Sequence, residues 1–255
     1  MYLKSNNLTT FTLITKDGDL GSIDDIYFDP LHFSIRYIIF ETRRWFSGGK
    51  VLLNPAAIAN INMEERIINL NVTKEQIKNS PKPNKHSPIS FAFENNLSTY
   101  YGWNESGKDY GISSLNGGDL SGTPITGIGV EMKDGVPLAS KNKVLSTKLR
   151  SLKTLKGFDA YAQNDKVGVV SDLIVDYKTR TINLLEIEMG GLLSKQFAPL
   201  STSWITEINW DEGKVFMNKE KIDMDEHSHG RSLFTENELR FHVEAGQPPS
   251  SECCK

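Results

Sequence analysis

The sequence predicts an all-β chain with short helices, built as two tandem small β-barrels related by internal duplication, each followed by a short helical tail. Three observations carry this. Sliding the chain by 147 positions lays residues 8–71 over 155–218 without a net gap. Within each copy, short runs rich in Ile, Val, Thr, Phe and Tyr alternate with turn-forming clusters. The 255 residues correspond to between one and two domains of about 150 residues, enough for two modest cores.

The repeat is stronger than composition alone produces. Fourteen identities fall in the 64 aligned positions, against roughly four expected by chance. They include Leu8/Leu155, Phe11/Phe158, Gly21/Gly168, Asp25/Asp172, Asp29/Asp176, Ile35/Ile182 and Glu41/Glu188. Further along they include Ile58/Ile205, Ile61/Ile208, Asn62/Asn209 and Asn71/Asn218. Pairs such as Phe28/Val175, Ile38/Leu185 and Ile68/Val215 keep apolar character. A period this long describes a duplicated domain, since solenoid repeats are 20–50 residues long.

In the first copy the expected strands lie near 8–15, 19–28, 34–42, 50–54 and 66–72. Lys16–Asp19, Asp29–His32 and Met63–Arg66 separate them, and the second copy breaks at Asn164–Lys166, Asp176–Arg180 and Asp211–Gly213. Five or six short antiparallel strands are too few for a broad sandwich, so closure into a barrel is the way to remove free edges. Ile35, Tyr37 and Ile39 share one face of their strand while Ile38 and Phe40 share the other. Both faces are therefore expected to be covered, either by the chain after the barrel or by the sister barrel. Gly21 and Gly168 mark a bulge or close backbone approach, Asp29 and Asp176 open turns, and Pro55 ends a strand.

The layout expected is a first barrel over 1–80, then a tail, glycine-rich loop and linker over 81–148. A second barrel covers 149–222 and a C-terminal tail covers 223–255. The tails match at an offset of 142, through Glu94/Glu236, Asn95/Asn237 and Leu97/Leu239.

Charge and composition exclude several classes. Twenty-nine basic against 32 acidic residues give a net charge of −3, which provides no field for gathering phosphates and disfavours nucleic-acid binding. No stretch reaches the roughly 18 apolar residues of a membrane span, and the first residues lack the apolar core of a signal peptide. Cys253 and Cys254 are adjacent near the end of the chain, so no disulfide framework is expected in the body, in keeping with a cytoplasmic location.

The run DGDLGSIDDIYFD over 17–29, IRYIIF over 35–40 and RWFSGGKVLLNP over 44–55 resembles the PRC-barrel family. Ser80 and Pro81 extend the likeness, as do YYGW over 100–103, Leu149–Ser151, Gly157 and GVVSD over 168–172. That family includes the cytoplasmic domain of the photosynthetic reaction-centre H subunit and the ribosome maturation factor RimM. The resemblance implies a small-barrel fold and a docking role, with reaction-centre assembly and ribosome or RNA processing as alternatives.

Chemically suggestive motifs each have a plainer reading. His227 and His229, beside Asp223, Asp225 and Glu226, have the spacing of a metal pair on one strand face, but read first as a solvated connector. Residues 47–50, SGGK, lack phosphate-loop spacing, and Gly127 with Gly129 lacks the third glycine. Asp24, Asp25, Asp29 and Glu41 have no histidine or nucleophile beside them in a recurring arrangement. Trp45 reads as a packed cover, and Cys253 with Cys254 as inert.

The expectation is a non-enzymatic interaction or scaffold protein with no catalytic residue, cofactor or metal, whose partner is another protein. Its oligomeric state is left open. The candidate interaction patch is Tyr100, Tyr101 and Trp103, since Tyr and Trp contribute most at interface centres. The competing reading has the same rings plugging a barrel flank.

Overall fold

The computed structural model describes residues 2–41, 49–84, 88–103, 132–133, 136–137, 148–163, 165–190, 195–218 and 243. The first copy runs β1 (Tyr2–Lys4), α1 (Ser5–Leu8), β2 (Thr12–Thr15), β3 (Gly18–Ser22), β4 (Asp25–Asp29) and β5 (Ser34–Glu41). It continues with β6 (Lys50–Leu53), a 3-10 turn at Pro55–Ala57, β7 (Ile58–Asn62), β8 (Ile67–Leu70) and α2 (Lys74–Asn79). Then come α3 (Phe91–Tyr101) and the short pair β9 (Met132–Lys133) and β10 (Val136–Pro137). The second copy runs β11 (Arg150–Ser151), α4 (Leu152–Leu155), β12 (Asp159–Ala162), β13 (Asp165–Asp176) and β14 (Thr181–Met189). It ends with β15 (Gln196–Ser201), a 3-10 turn at Thr202–Trp204, β16 (Ile205–Asn209) and β17 (Lys214–Met217). Two compact units result: one holds both copies (1–78 with 149–255), the other holds 79–148.

The two copies agree in their pairings and registers, except that β3 and β4 of the first copy, which lie in different sheets, correspond to one continuous strand, β13, in the second. Thr12 faces Ser22 across β2 and β3, and Asp159 faces Val169 across β12 and β13. Both pairs carry a register shift at the same place, after Leu13 and after Ala160. Asp25 opposite Ile39 corresponds to Asp172 opposite Glu186, and Ile38 opposite Leu53 to Leu185 opposite Leu200. The duplication is thus one of structure as well as of sequence.

Three features correct the sequence reading. The strands are not all antiparallel: β2 runs parallel to β8, and β12 parallel to β17. Each copy closes by bringing its first barrel strand beside its last, and with this strand order those two run the same way. Second, β7 and β16 are strands of their own, although Asn60, Glu207 and other polar residues blur their pattern. Third, the strand expected near 8–15 begins only at Thr12, because Leu8 closes the helical turn Ser5–Leu8.

The turn and bulge readings hold. The Leu31 N–H donates to Asp29 Oδ1 at 2.9 Å, and the Lys178 N–H to Asp176 Oδ1 at 2.9 Å. Pro55 opens the 3-10 turn, with Asn54 Oδ1 accepting from the Ala56 N–H at 2.8 Å. Gly168 lies so close to β14 that a Cβ there would clash with the Glu188 carbonyl oxygen.

The copies are interlocked by exchange of their leading strands. β1 of the first copy pairs with β13 of the second, Leu3 opposite Val175, while β11 of the second pairs with β4 of the first, Arg150 opposite Phe28. The helices that follow are held by buried carboxylates of the opposite copy. Asp172 accepts from Ser5 Oγ and the Asn6 N–H, while Asp25 accepts from Ser151 Oγ at 2.6 Å and the Lys153 N–H at 3.3 Å. Lys156 Nζ lies 3.1 Å from Asp172, and Lys4 pairs with the buried Glu186. The pseudo-two-fold axis passes where Ser34 of β5 faces Thr181 of β14. The apolar strand at 35–40 is accordingly buried on both faces, with Ile35, Tyr37, Ile38, Ile39 and Phe40 all in the core.

Candidate interaction surface

Helix α3 is delimited by its own residues. Ser90 Oγ accepts from the Phe93 N–H at 3.2 Å, and Glu94 sits in the first turn, favourable against the helix dipole. Gly102, with φ of 71°, ends the helix in the left-handed region, its N–H donating to the Ser98 and Thr99 carbonyls. Glu94 and Leu97, three positions apart, form the buried face.

At the C-terminal end the structure brings Tyr100, Tyr101 and Trp103 together. The rings of Tyr101 and Trp103 stack at 4.2 Å and 11°, and Tyr100 meets Tyr101 edge-on at 4.9 Å. Tyr100 is 40% exposed and Phe91, at the other end of the helix, 37%. Tyr101 is half-buried, and burial pushes its hydroxyl up to about 12 against the opposing effect of the Ser80 hydroxyl. The trio is a stacked platform with one ring open to solvent.

Of the carboxylates considered for chemistry, Asp24, Asp25 and Asp29 are engaged elsewhere. Asp29 accepts from the Leu31 N–H and contacts His32 Nδ1 at 2.9 Å; Asp24 pairs with Lys153 at 2.6 Å; Asp25 caps α4. Lys50 opens β6 opposite Glu41, which makes the end of the SGGK run a strand start. Among the described residues, no group of three or more His, Cys, Asp and Glu side chains is placed to hold a metal ion. Trp45, Ser47, Gly48, His86, Gly127, Gly129, His227, His229, Cys253, Cys254 and the second tail at 236–239 lie outside the described residues.

Comparison with family models matches the PRC-barrel domain twice, at residues 2–77 and 148–221. The chain belongs to the PRC-barrel family. The two matches coincide with the two copies, so this is a two-repeat PRC-barrel protein. No match to a curated protein is found. Among the described residues of this PRC-barrel chain, no helix is long and apolar enough to cross a membrane.

One feature of the barrels escaped sequence reasoning. In the first copy a small apolar cavity of about 40 Å³, partly open to solvent, lies between the β4–β5 and β7–β8 pairs. Small barrels are expected to fill their interiors, and nothing in the local pattern of β4 or β5 distinguishes a filled from an unfilled one. Only the comparison of Val175 with Phe28, position for position, carries the signal.

Proposed function

We propose that this PRC-barrel protein is a non-enzymatic interaction module that docks another protein through the aromatic end of α3. The observation that carries the reading is the Tyr101–Trp103 stack with Tyr100 open beside it. A pre-stacked pair holds its rings in place before binding, so an incoming partner buries large apolar area with little further loss of side-chain freedom. The engagement of Asp24, Asp25 and Asp29 in caps and ion pairs supports the non-enzymatic part.

The test places a photo-crosslinking amino acid at position 100 of the full chain and compares capture by that chain with capture by the same chain carrying Trp103→Ala. One protein crosslinked at position 100, and lost from a variant that melts like wild type, supports the reading. Retention of that protein by the variant overturns it. Crosslinked RNA at position 100 would favour the ribosome-processing alternative, and a pigment-binding protein would favour reaction-centre assembly.

A further inference from the structure

The two leading arms take equivalent places on opposite copies, and they are fastened by different chemistry. Counting 147 positions along, Lys4 corresponds to Ser151, Ser5 to Leu152 and Leu8 to Leu155. The helix of the second arm buries two leucines, and Ser151 caps it by accepting from the Thr154 N–H at 3.2 Å. The helix of the first arm buries Ser5 and Leu8, and no side chain caps its start. Charge holds the first arm instead. Lys4 pairs with Glu186, whose counterpart in the first copy is the buried Ile39. Ser5 Oγ and the Asn6 N–H donate to Asp172, which stands opposite Glu186 across β13 and β14. Lys156 reaches both Asp172, at 3.1 Å, and Asn6 Oδ1, at 2.6 Å. A buried leucine is a net gain, whereas the cost of desolvating two charges offsets most of their attraction. The first arm is therefore the more weakly fastened of the two.

Under that arm lies a strand edge. Residues 174–176 of β13 pair with β14 on one side and with β1 on the other. Tyr2 shares with Val243 the cover of Ile174 and Leu184. Lifting β1 bares backbone donors and acceptors beside an apolar spot and two carboxylates, and an uncovered edge is a template for another strand. We propose that the first arm is a displaceable strap over a strand-addition site. It opens while both barrels stay folded, and the edge of β13 then takes an extended basic segment of a partner protein. The arm itself shows the pattern the site accepts: an apolar residue opposite Val175, a lysine for Glu186 and a hydroxyl for Asp172. Charge selects the class, because an acidic segment would leave both carboxylates without a cation. The second arm, anchored by leucines, stays closed.

The test follows amide hydrogen exchange of the full chain, read residue by residue. The amides of 2–8 should exchange about tenfold faster than those of 150–155, with the centre of β13 and β14 protected throughout. A synthetic peptide of residues 2–8, added to millimolar concentration, should speed exchange in the arm further and saturably, and the same peptide carrying Lys4→Glu should not. Giving the first arm the fastening of the second, with Lys4→Ser, Ser5→Leu and Glu186→Ile together, should slow exchange at 2–8 to the level of 150–155. Should that variant fail to fold, Lys4→Ala alters the arm alone and should speed exchange at 2–8 with 150–155 unmoved. Exchange of both arms at one rate overturns the strap, as does a peptide that leaves 2–8 unchanged. Equal displacement by the Lys4→Glu peptide overturns the assignment to a basic segment.

Discussion

Ser34 faces Thr181 across the joint between β5 and β14, and the two are the same position in the two copies. A residue that pairs with its own counterpart lies on a symmetry axis. Around it the Ile35 N–H donates to the Arg180 carbonyl and the Ile182 N–H to the Phe33 carbonyl, each at 2.8 Å. The two barrels therefore share one continuous sheet, in which the opposite-copy carboxylates Asp25 and Asp172 become structural keystones.

Asp172→Ala should destabilise the protein by about 3 kcal/mol, since it removes the carboxylate beside the part-buried Lys156, leaving that ammonium the neutral Asn6 Oδ1, and frees the helix at Ser5. Asp25→Ala, which strands only neutral donors at Ser151 and Lys153, should cost about 1–3 kcal/mol. Urea unfolding monitored by tryptophan fluorescence and by circular dichroism should give one coincident transition in wild type. Two separated transitions would mean that the copies are energetically independent.

The two equivalent glycines should respond to alanine for different reasons. Gly168→Ala forces a Cβ against the Glu188 carbonyl and Ile187, at a cost of about 1–3 kcal/mol from overpacking. At Gly21 nothing lies within 4 Å, but φ is 110°, so the cost there, also about 1–3 kcal/mol, is backbone strain. Asparagine, which tolerates positive φ better, should recover part of the loss at 21 and none at 168. Equal behaviour at both sites would contradict the close approach.

Glu186 sets a pH dependence. Burial raises its carboxyl above the ordinary 4.5, while Lys4 and Ser171 pull it down and Asp172 adds to the rise. A raised folded value means that the folded state holds the proton more tightly than the unfolded chain. Its stabilising contribution is complete below pH 4.5 and is lost as pH climbs through the raised value. Stability curves of wild type and Glu186→Gln should therefore diverge in slope above pH 4.5, the wild type falling relative to the variant. Parallel curves would refute this.

Tyr101 gives a second, alkaline window. With its hydroxyl at about 12 against an ordinary 10, it contributes stability that is whole below pH 10 and lost between there and about 12. Absorbance titration at the phenolate band should show one late-ionising tyrosine, absent from Tyr101→Phe. A wild-type titration identical to that of the variant would place Tyr101 in water.

Much of this architecture is visible in the residues. Gly21 with Gly168 and Asp29 with Asp176 recur because bulges and turns demand particular residue types, and such demands survive divergence elsewhere. The exchange of β1 and β11 leaves no such trace: strands of two or three residues are too short for periodicity, and Leu3 finds its partner 172 positions away. β7 was hidden because Ala59 and Asn60 face solvent at an interruption of register. At the candidate surface, the cluster at 100–103 is plain from spacing alone. Which of its rings is open is decided by packing around Tyr101, and no local pattern encodes that.

The lending of Tyr2–Lys4 and Arg150–Ser151 also bears on how a two-copy chain differs from two chains. A single copy leaves its own β4 edge uncovered, and a pair of identical polypeptides swapping arms would cover it with strict two-fold symmetry. Covalent linkage keeps the second arm at high effective concentration, so assembly no longer depends on protein abundance. It also releases the halves from sameness. Phe28 in one and Val175 in the other is an asymmetry that no homodimer of one sequence can hold, and it is where a duplicated scaffold gains room for something new.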